Sequence, residues 1–125
     1  MKIIFYGIPR SKKNSQQIFR GKAGRPFITQ SQQYKEYERS CLRQILPKHV
    51  QRIDYSVNVQ MVFYMPTKRK CDLGNLQAAC LDILVKGNVL KDDNHTIVTT
   101  MDGSRVFYDK EHPRVEIEVL PIADI

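Results

Sequence analysis

The alternation of apolar and polar positions along the chain predicts several β-strands. From Tyr55 to Met65 every second residue is apolar or aromatic, the pattern of a strand with one buried face. Residues 113–120 alternate in the same way, with Glu and Arg on the polar side. Residues 2–8 form a mostly apolar run that predicts a buried strand, stopped by Pro9.

Two other segments carry apolar residues at the spacing of an amphipathic helix. The first is expected from about Gln32 to Leu46, with Ser31 as its N-cap and Pro47 ending it. The second is expected over roughly residues 73–86, with Gly87 as its C-cap. The predicted buried stripes are Tyr34, Tyr37, Cys41, Leu42 and Ile45 on the first helix, and Leu76, Ala79, Cys80, Ile83 and Leu84 on the second.

Two glycine-containing segments predict hairpin turns. Gly21 and Gly24 separate one pair of short strands, and Asp102-Gly103 separates another pair. The strands expected on either side of these turns are 17–20, 26–29, 96–101 and 105–108. This order of elements predicts an α+β fold: a single domain over residues 1–125, with a mixed β-sheet and two main helices packed on it.

The charge distribution favours a nucleic-acid partner. The net charge is +7, and the first 35 residues hold eight Lys or Arg and no acidic residue. A one-sided positive field attracts a polyanion and can neutralise phosphates. A membrane surface is the competing partner, but the basic segment is predicted as strands and loops, and no apolar run approaches the roughly 20 residues needed to span a bilayer. A solvated basic face without a partner stays open on charge alone.

The cysteines give a weaker indication of the compartment. Cys41, Cys71 and Cys80 are an odd, sparse set, which favours a reducing cytoplasm over a disulfide framework. The N-terminal apolar run is too short for a signal peptide, so a first strand is expected. Zinc bound by Cys71, Cys80 and His95 is possible in principle, but Cys80 in the core and Cys71 in a loop is the preferred interpretation.

Three aspartates are the main candidates for chemistry. Asp72 directly follows a run of three basic residues and begins the second helix, where an N-cap role is the structural alternative. Asp92 and Asp93 lie in a loop with Asn94, where a solvated turn is the alternative. Carboxylates within a basic surface suit Mg²⁺ between protein and phosphate, where a cation can polarise the phosphodiester. A metallonuclease and a plain binding module both stay open at this point.

With these residues in view, the chain resembles the RusA family of Holliday junction resolvases. The resemblance is carried by KRKCDLGNLQAACLDIL (68–84), LKDDNHTIV (90–98) and GIPRSKKNS (7–15). It implies a homodimeric, Mg²⁺-dependent endonuclease that binds branched DNA. Such an enzyme resolves four-way junctions by paired symmetric nicks in recombination and repair.

The resemblance also implies roles for individual residues. Asp72 and Asp93 match catalytic, metal-binding aspartates, and Asp92 is expected to be an additional metal ligand or to support the ligands. Asn75 and Asp82 match residues that support the metal ligands; from spacing alone, a solvent-facing Asp82 is nearly as good an interpretation. The residues expected to bind the DNA backbone are Arg10, Lys12, Lys13, Lys68, Arg69 and Lys70.

Two positions depart from the family pattern. Gly74 stands where an aspartate is usual, and Ala78 stands where a lysine is usual. They motivate an alternative function, a catalytically weakened protein that binds branched DNA without cutting it. RNA binding through the same basic face is a third hypothesis, but the sequence shows no paired aromatics typical of a base-stacking surface.

Overall fold

The computed structural model describes residues 1–12, 16–20 and 26–123, so the turn predicted at Gly21 and Gly24 lies outside the described residues. Within them a mixed five-stranded sheet, two helices and a separate antiparallel pair of strands make up the fold, which confirms the α+β prediction. The strands are β1 (Lys2–Tyr6), β2 (Gln16–Arg20), β3 (Pro26–Gln30), β4 (Val57–Met65), β5 (Val98–Thr100), β6 (Arg105–Tyr108) and β7 (Arg114–Pro121). The helices are α1 (Gln32–Gln44), α2 (Leu73–Lys86) and a 3-10 turn at Pro47–His49. No helix in the described part of the chain is long and apolar enough to cross a membrane.

Strand directions decide which loops meet. The order is β1-β7-β4, with β7 antiparallel to both neighbours, so β1 and β4 run the same way. On the other side of β4, both β5 and β6 pair with it in parallel. The ends of β1, β4 and β6 therefore lie at one edge of the sheet, which we call the C-terminal edge. The starts of β4 and β5 lie at the opposite, N-terminal edge.

One face of this sheet forms the core with the helices. Alternate residues of β4 and β7 are buried, as predicted, because every second side chain points to the same face. The helices cover that face with their predicted stripes; Tyr34, Cys41, Leu76, Ala79, Cys80, Ile83 and Leu84 are all buried. On the other face of the sheet the side chains of these strands are half-buried or exposed.

The helix boundaries follow from local chemistry. Ser31 Oγ accepts a hydrogen bond from the Tyr34 amide at 3.2 Å, which confirms the predicted N-cap. The end of α1 comes two residues before the predicted one, because Leu46 precedes Pro47 and must be extended. The bounds of α2 are as predicted, and Gly87 is its C-cap.

The prediction of a hairpin at Asp102-Gly103 was wrong. In an antiparallel hairpin β5 and β6 would pair with each other, but both pair with β4 in parallel. The side chain of Asn58 holds the connection along β4: its Oδ1 accepts from the Asp102 amide at 2.7 Å, and its Nδ2 donates to the Asp102 carbonyl at 3.2 Å. Gly103 has φ +85, a backbone conformation that L side chains rarely adopt, which favours glycine at this turn.

Three strand boundaries differ from the prediction by two residues, and the other strand ends differ by one residue at most. β1 ends at Tyr6 because Gly7 adopts φ +123, before Pro9 is reached. Tyr55 is 48% exposed and precedes β4, so the buried alternation begins at Val57. β5 is shorter than predicted, because a turn that ends at Ile97 takes the place of its first residues.

Histidine 49 makes the folded state sensitive to pH. Its side chain is buried, and Nδ1 accepts a hydrogen bond from the Leu46 amide at 3.1 Å. Burial, and then the charge of Lys48, lower the pKa of His49. The folded pKa thus lies below that of the unfolded chain, which is about 6.5. As the pH falls, His49 is protonated first in the unfolded state. The stability contributed by the neutral side chain is therefore complete above about pH 6.5, and it is lost as the pH falls through the pKa of the folded state.

We therefore expect the melting temperature to fall between about pH 7.5 and about pH 5.5, and the fall to be smaller in His49→Gln. Thermal melts followed by circular dichroism would measure both. His95→Gln is the matched control, because it replaces an exposed histidine in a different loop. An identical pH dependence in wild type and His49→Gln would show that His49 is not the responsible group.

Candidate functional site

An open groove of about 780 Å³ lies at the C-terminal edge of the sheet. Because β1 and β4 end at this edge, the segments that follow them, 7–12 and 66–72, come together there. The groove is lined by Ile8, Pro9, Arg10, Ser11, Gln33, Met65, Pro66, Thr67, Arg69, Lys70, Cys71, Asp72, Asn75 and Leu76. Two segments far apart in sequence thus share one concave surface with the start of α2.

The groove is basic. Arg10 comes from the segment after β1, and Arg69 and Lys70 come from the segment after β4. These three are among the residues predicted to bind DNA, and the fold brings them together. Lys68 is not a lining residue; its Nζ lies 5.4 Å from the ring centroid of Tyr108. The described basic side chains in the groove outnumber its single carboxylate, so the surface favours an anion.

Asp72 is the carboxylate in this groove. It caps α2: its Oδ1 accepts a hydrogen bond from the Asn75 amide at 3.2 Å. The N-cap role, which is the structural alternative to metal binding, is therefore present. The cap fixes the orientation of the carboxylate, which is exposed to solvent. Asn75 acts on Asp72 through this backbone amide. A Cβ at Gly74 would lie 3.3 Å from Asp72 Oδ1, so position 74 directly adjoins the candidate ligand.

Asp82 belongs to a polar network and makes no contact with the groove's carboxylate. Its Oδ2 is 2.7 Å from Lys12 Nζ, with both side chains partly exposed. The same ammonium lies 5.9 Å from the ring centroid of buried Tyr34. Lys12 therefore ties the basic segment after β1 to both helices. Lys13, also predicted to bind DNA, is outside the described residues.

Asp92 and Asp93 form an ordered, exposed turn with Asn94. The carboxylate of Asp92 accepts from Asn94 Nδ2 at 2.9 Å and from the Asp93 amide at 2.8 Å. These hydrogen bonds, that from Asn94 first, lower the pKa of Asp92. Asn94 Oδ1 in turn accepts from the Thr96 amide at 3.0 Å. The solvated-turn alternative is therefore also present in the structure.

Within one chain the acidic pair and Asp72 lie at opposite edges of the sheet. Lys91 donates its amide to the Ile53 carbonyl at 2.9 Å, which holds residues 92 and 93 near the start of β4. Asp72 follows the end of β4, and α2 between them is roughly 20 Å long. Among the described residues no group of three or more His, Cys, Asp or Glu is arranged to hold a metal ion. Joint metal binding by Asp72, Asp92 and Asp93 stays a prediction.

The structure also assembles aromatic side chains that sequence reasoning missed. Tyr6, Arg114, Tyr64 and Phe107 are register partners across β1, β7, β4 and β6, and we call these four residues the aromatic row. The Tyr64 and Phe107 ring centroids are 5.8 Å apart, and Arg114 Cζ lies 3.9 Å from the Tyr64 centroid. Strand alternation marks these positions as outward-facing, but only the register places them side by side.

Comparison with known proteins identifies the family. Residues 7–120 match the model of the family described as Endodeoxyribonuclease RusA. The chain is similar to the Crossover junction endodeoxyribonuclease RusA of Aquifex aeolicus (strain VF5), with 36% identity over 66 residues. That alignment covers 49% of this chain and 52% of the relative, so the chain spans about half the length of the relative it matches.

Proposed function

Because the chain belongs to the RusA family of endodeoxyribonucleases, we propose that it binds four-way DNA junctions and resolves them by paired symmetric nicks in recombination and repair. The observation that carries this proposal is the groove that Arg10, Arg69 and Lys70 line together with the oriented carboxylate of Asp72. We place the activity in the cytoplasm, because three cysteines that are all free are typical of a reducing compartment.

The basic groove would hold the DNA backbone. Arg10 and Arg69 come from different segments, so a phosphate between them would receive hydrogen bonds from two sides. Such contacts position DNA without reading its sequence, and they release counterions. The salt bridge from Lys12 to Asp82 would keep the wall that carries Arg10 in place.

We expect Arg69→Ala to weaken binding to duplex and junction DNA alike. Losing one phosphate contact should reduce the slope of log affinity against log salt concentration by about 1. A salt titration followed by fluorescence anisotropy would measure the slope. Lys48→Ala is the matched control, because this exposed lysine lies in the 3-10 turn after α1 and outside the groove lining. An unchanged slope in Arg69→Ala would exclude a phosphate contact at this residue.

The chemistry of Asp72 fits Mg²⁺. Its oxygens are hard donors, the side chain is exposed, and the surrounding cations would bring a phosphate to the same place. When bound, the cation would polarise the phosphate and activate water. Asp72 would hold the ion in an orientation set by the Asn75 amide, and Arg69 and Lys70 would orient the scissile phosphate. Asp93 and Asp92 complete the proposed ligand set.

A homodimer would reconcile this ligand set with the fold. One chain places Asp72 and Asp93 at opposite edges of its sheet. A two-fold axis can bring the C-terminal edge of one chain to the N-terminal edge of the other, and it then creates two identical sites. Each site would combine Asp72 of one subunit with Asp93 of its partner. Two sites also match the two opposed strands of a four-way junction.

The direct test is a nicking assay on a synthetic four-way junction with labelled strands, with and without Mg²⁺. We expect symmetric nicks in two opposed strands only when Mg²⁺ is present, and no nicks from Asp93→Asn. Equal cleavage in the presence of a chelator would refute the metal-dependent mechanism.

A second candidate function is binding of branched DNA without efficient cleavage. It is favoured because Asp72 is the single carboxylate among the described residues that line the groove, and Gly74 beside it adds no second one. Ala78, on the exposed side of α2, adds no cation there. Salt-sensitive junction binding without product, even with Mn²⁺, would support this alternative over the nuclease.

A further inference from the structure

We propose that the aromatic row binds unpaired bases of single-stranded DNA segments, such as those beside a branch point. This inference rests on the proposed DNA-binding function and assigns it a second contact surface. The row lies on the sheet face opposite the core, outside the groove lining. Exposed rings suit bases because every base has a π-face that can stack on an aromatic side chain.

The rings of the row are accessible and held in order. Tyr6 is 60% exposed and Phe107 is 47% exposed, so a large part of each side chain is accessible to a ligand. Arg114 is held beside Tyr64, with Cζ 3.9 Å from the ring centroid, because its guanidinium forms ion pairs with Asp109 at 3.0 Å and with Glu116 at 2.8 Å. An ordered surface loses little conformational entropy when a ligand binds.

A cation flanks the row where a DNA backbone would need one. Arg105 Cζ lies 6.0 Å from the Phe107 centroid. Both side chains project to the same face of the sheet, because the two residues are two positions apart in β6. Surfaces that bind single strands combine such aromatic rings with positive charge along the backbone.

The row and the groove meet at the end of β4. Tyr64 belongs to the row, and the next two residues, Met65 and Pro66, line the groove. The amide of Asp109, which follows β6, donates to the Met65 carbonyl at 2.8 Å and holds the two strand ends together. A DNA strand that leaves the groove would therefore reach the rings by passing around the C-terminal edge of the sheet.

The aromatic row adjoins the basic groove that we propose to hold DNA, which favours DNA as its occupant. Arg105 adds a positive charge beside Phe107. A second copy of the chain on this face is the alternative, and the oligomeric state of the variants tests it.

The test compares binding of a labelled oligothymidylate of about 20 nucleotides with binding of a duplex of similar length, at one salt concentration. We expect Phe107→Leu and Tyr6→Leu each to weaken single-strand binding roughly five- to fiftyfold with little change for the duplex. Phe107→Trp should retain single-strand binding. Tyr55→Leu is the matched control, because Tyr55 is an equally exposed aromatic outside the row.

Thermal melts would confirm that each variant is folded, and sedimentation would give its oligomeric state. Single-strand affinity unchanged in both Phe107→Leu and Tyr6→Leu would overturn the inference. So would a change of oligomeric state in these variants, because the face would then be an interface between copies. If wild type binds no DNA at all, the proposed function fails; if it nicks junctions while both variants bind single strands normally, only this inference fails.

Discussion

A mixture of Asp72→Asn and Asp93→Asn chains should nick four-way junctions much faster than either variant alone. The reason is the separation of the two aspartates along α2, which places them at opposite edges of one subunit. If each site combines Asp72 of one subunit with Asp93 of the partner, a mixed dimer keeps one site with both aspartates intact. Its other site carries both substitutions.

Each single variant should lose roughly a hundred- to thousandfold in nicking rate. This estimate follows from removing a ligand of a cation whose charge stabilisation is worth several kcal/mol, with about 1.4 kcal/mol for each factor of ten. The mixed dimers should recover single nicks but few paired ones. The assay is single-turnover cleavage of a labelled junction after the two variants have been mixed under conditions that allow subunit exchange.

The control is a mixture of Asp72→Asn with the double variant Asp72→Asn/Asp93→Asn, in which every site lacks Asp72. No recovery in either mixture, despite demonstrated subunit exchange, would contradict the shared site. Full activity of Asp93→Asn alone would remove Asp93 from the site altogether. Asp102→Asn, at an exposed turn residue, controls for the loss of a surface carboxylate elsewhere.

The second large effect is expected from the pair Gly74→Asp and Ala78→Lys, which should raise nicking activity. Gly74 lies in the first turn of α2 without a positive φ, so the backbone accepts a side chain there. A Cβ at this position would lie 3.3 Å from Asp72 Oδ1, so the Asp72 carboxylate must shift by a few tenths of an ångström. The new carboxylate would adjoin Asp72 and tighten Mg²⁺ binding.

Ala78 is exposed one helical turn beyond Asn75, so a lysine there can extend without disturbing the core. Its ammonium would add a phosphate contact beside the metal ligands. We expect the double variant to nick roughly ten- to a hundredfold faster than wild type at limiting Mg²⁺. The reason is that Mg²⁺ would be bound more tightly and one charged contact to the phosphate would be added. Initial rates over a Mg²⁺ titration would separate the two contributions.

Gly74→Asn and Ala78→Gln are the matched controls, because they add similar side chains without charge. A comparable gain from these neutral variants would indicate an effect on helix stability, since replacing glycine in a helix is itself worth about 0.5–1 kcal/mol. A fully active wild type with no gain in the double variant would refute the alternative that Gly74 and Ala78 weaken catalysis.

Much of the fold was predictable because its patterns are local. The bounds of α2 follow from its apolar spacing and from the N-cap preference of Asp72, and the buried positions of β4 follow from strict alternation. The basic character of the N-terminal segment and its likeness to one family also come directly from the residues, and the family match over residues 7–120 confirms that likeness.

The tertiary structure decided how these elements are arranged, because strand direction and register depend on partners distant in sequence. The parallel pairing of β5 with β4 places Asp93 at the edge opposite Asp72, a separation that neither motif reveals. The register between four strands likewise aligns Tyr6, Tyr64 and Phe107, which lie in separate parts of the sequence. Local spacing determined the helices, the strands and the candidate residues. Backbone hydrogen bonding between distant strands determined which of those residues meet.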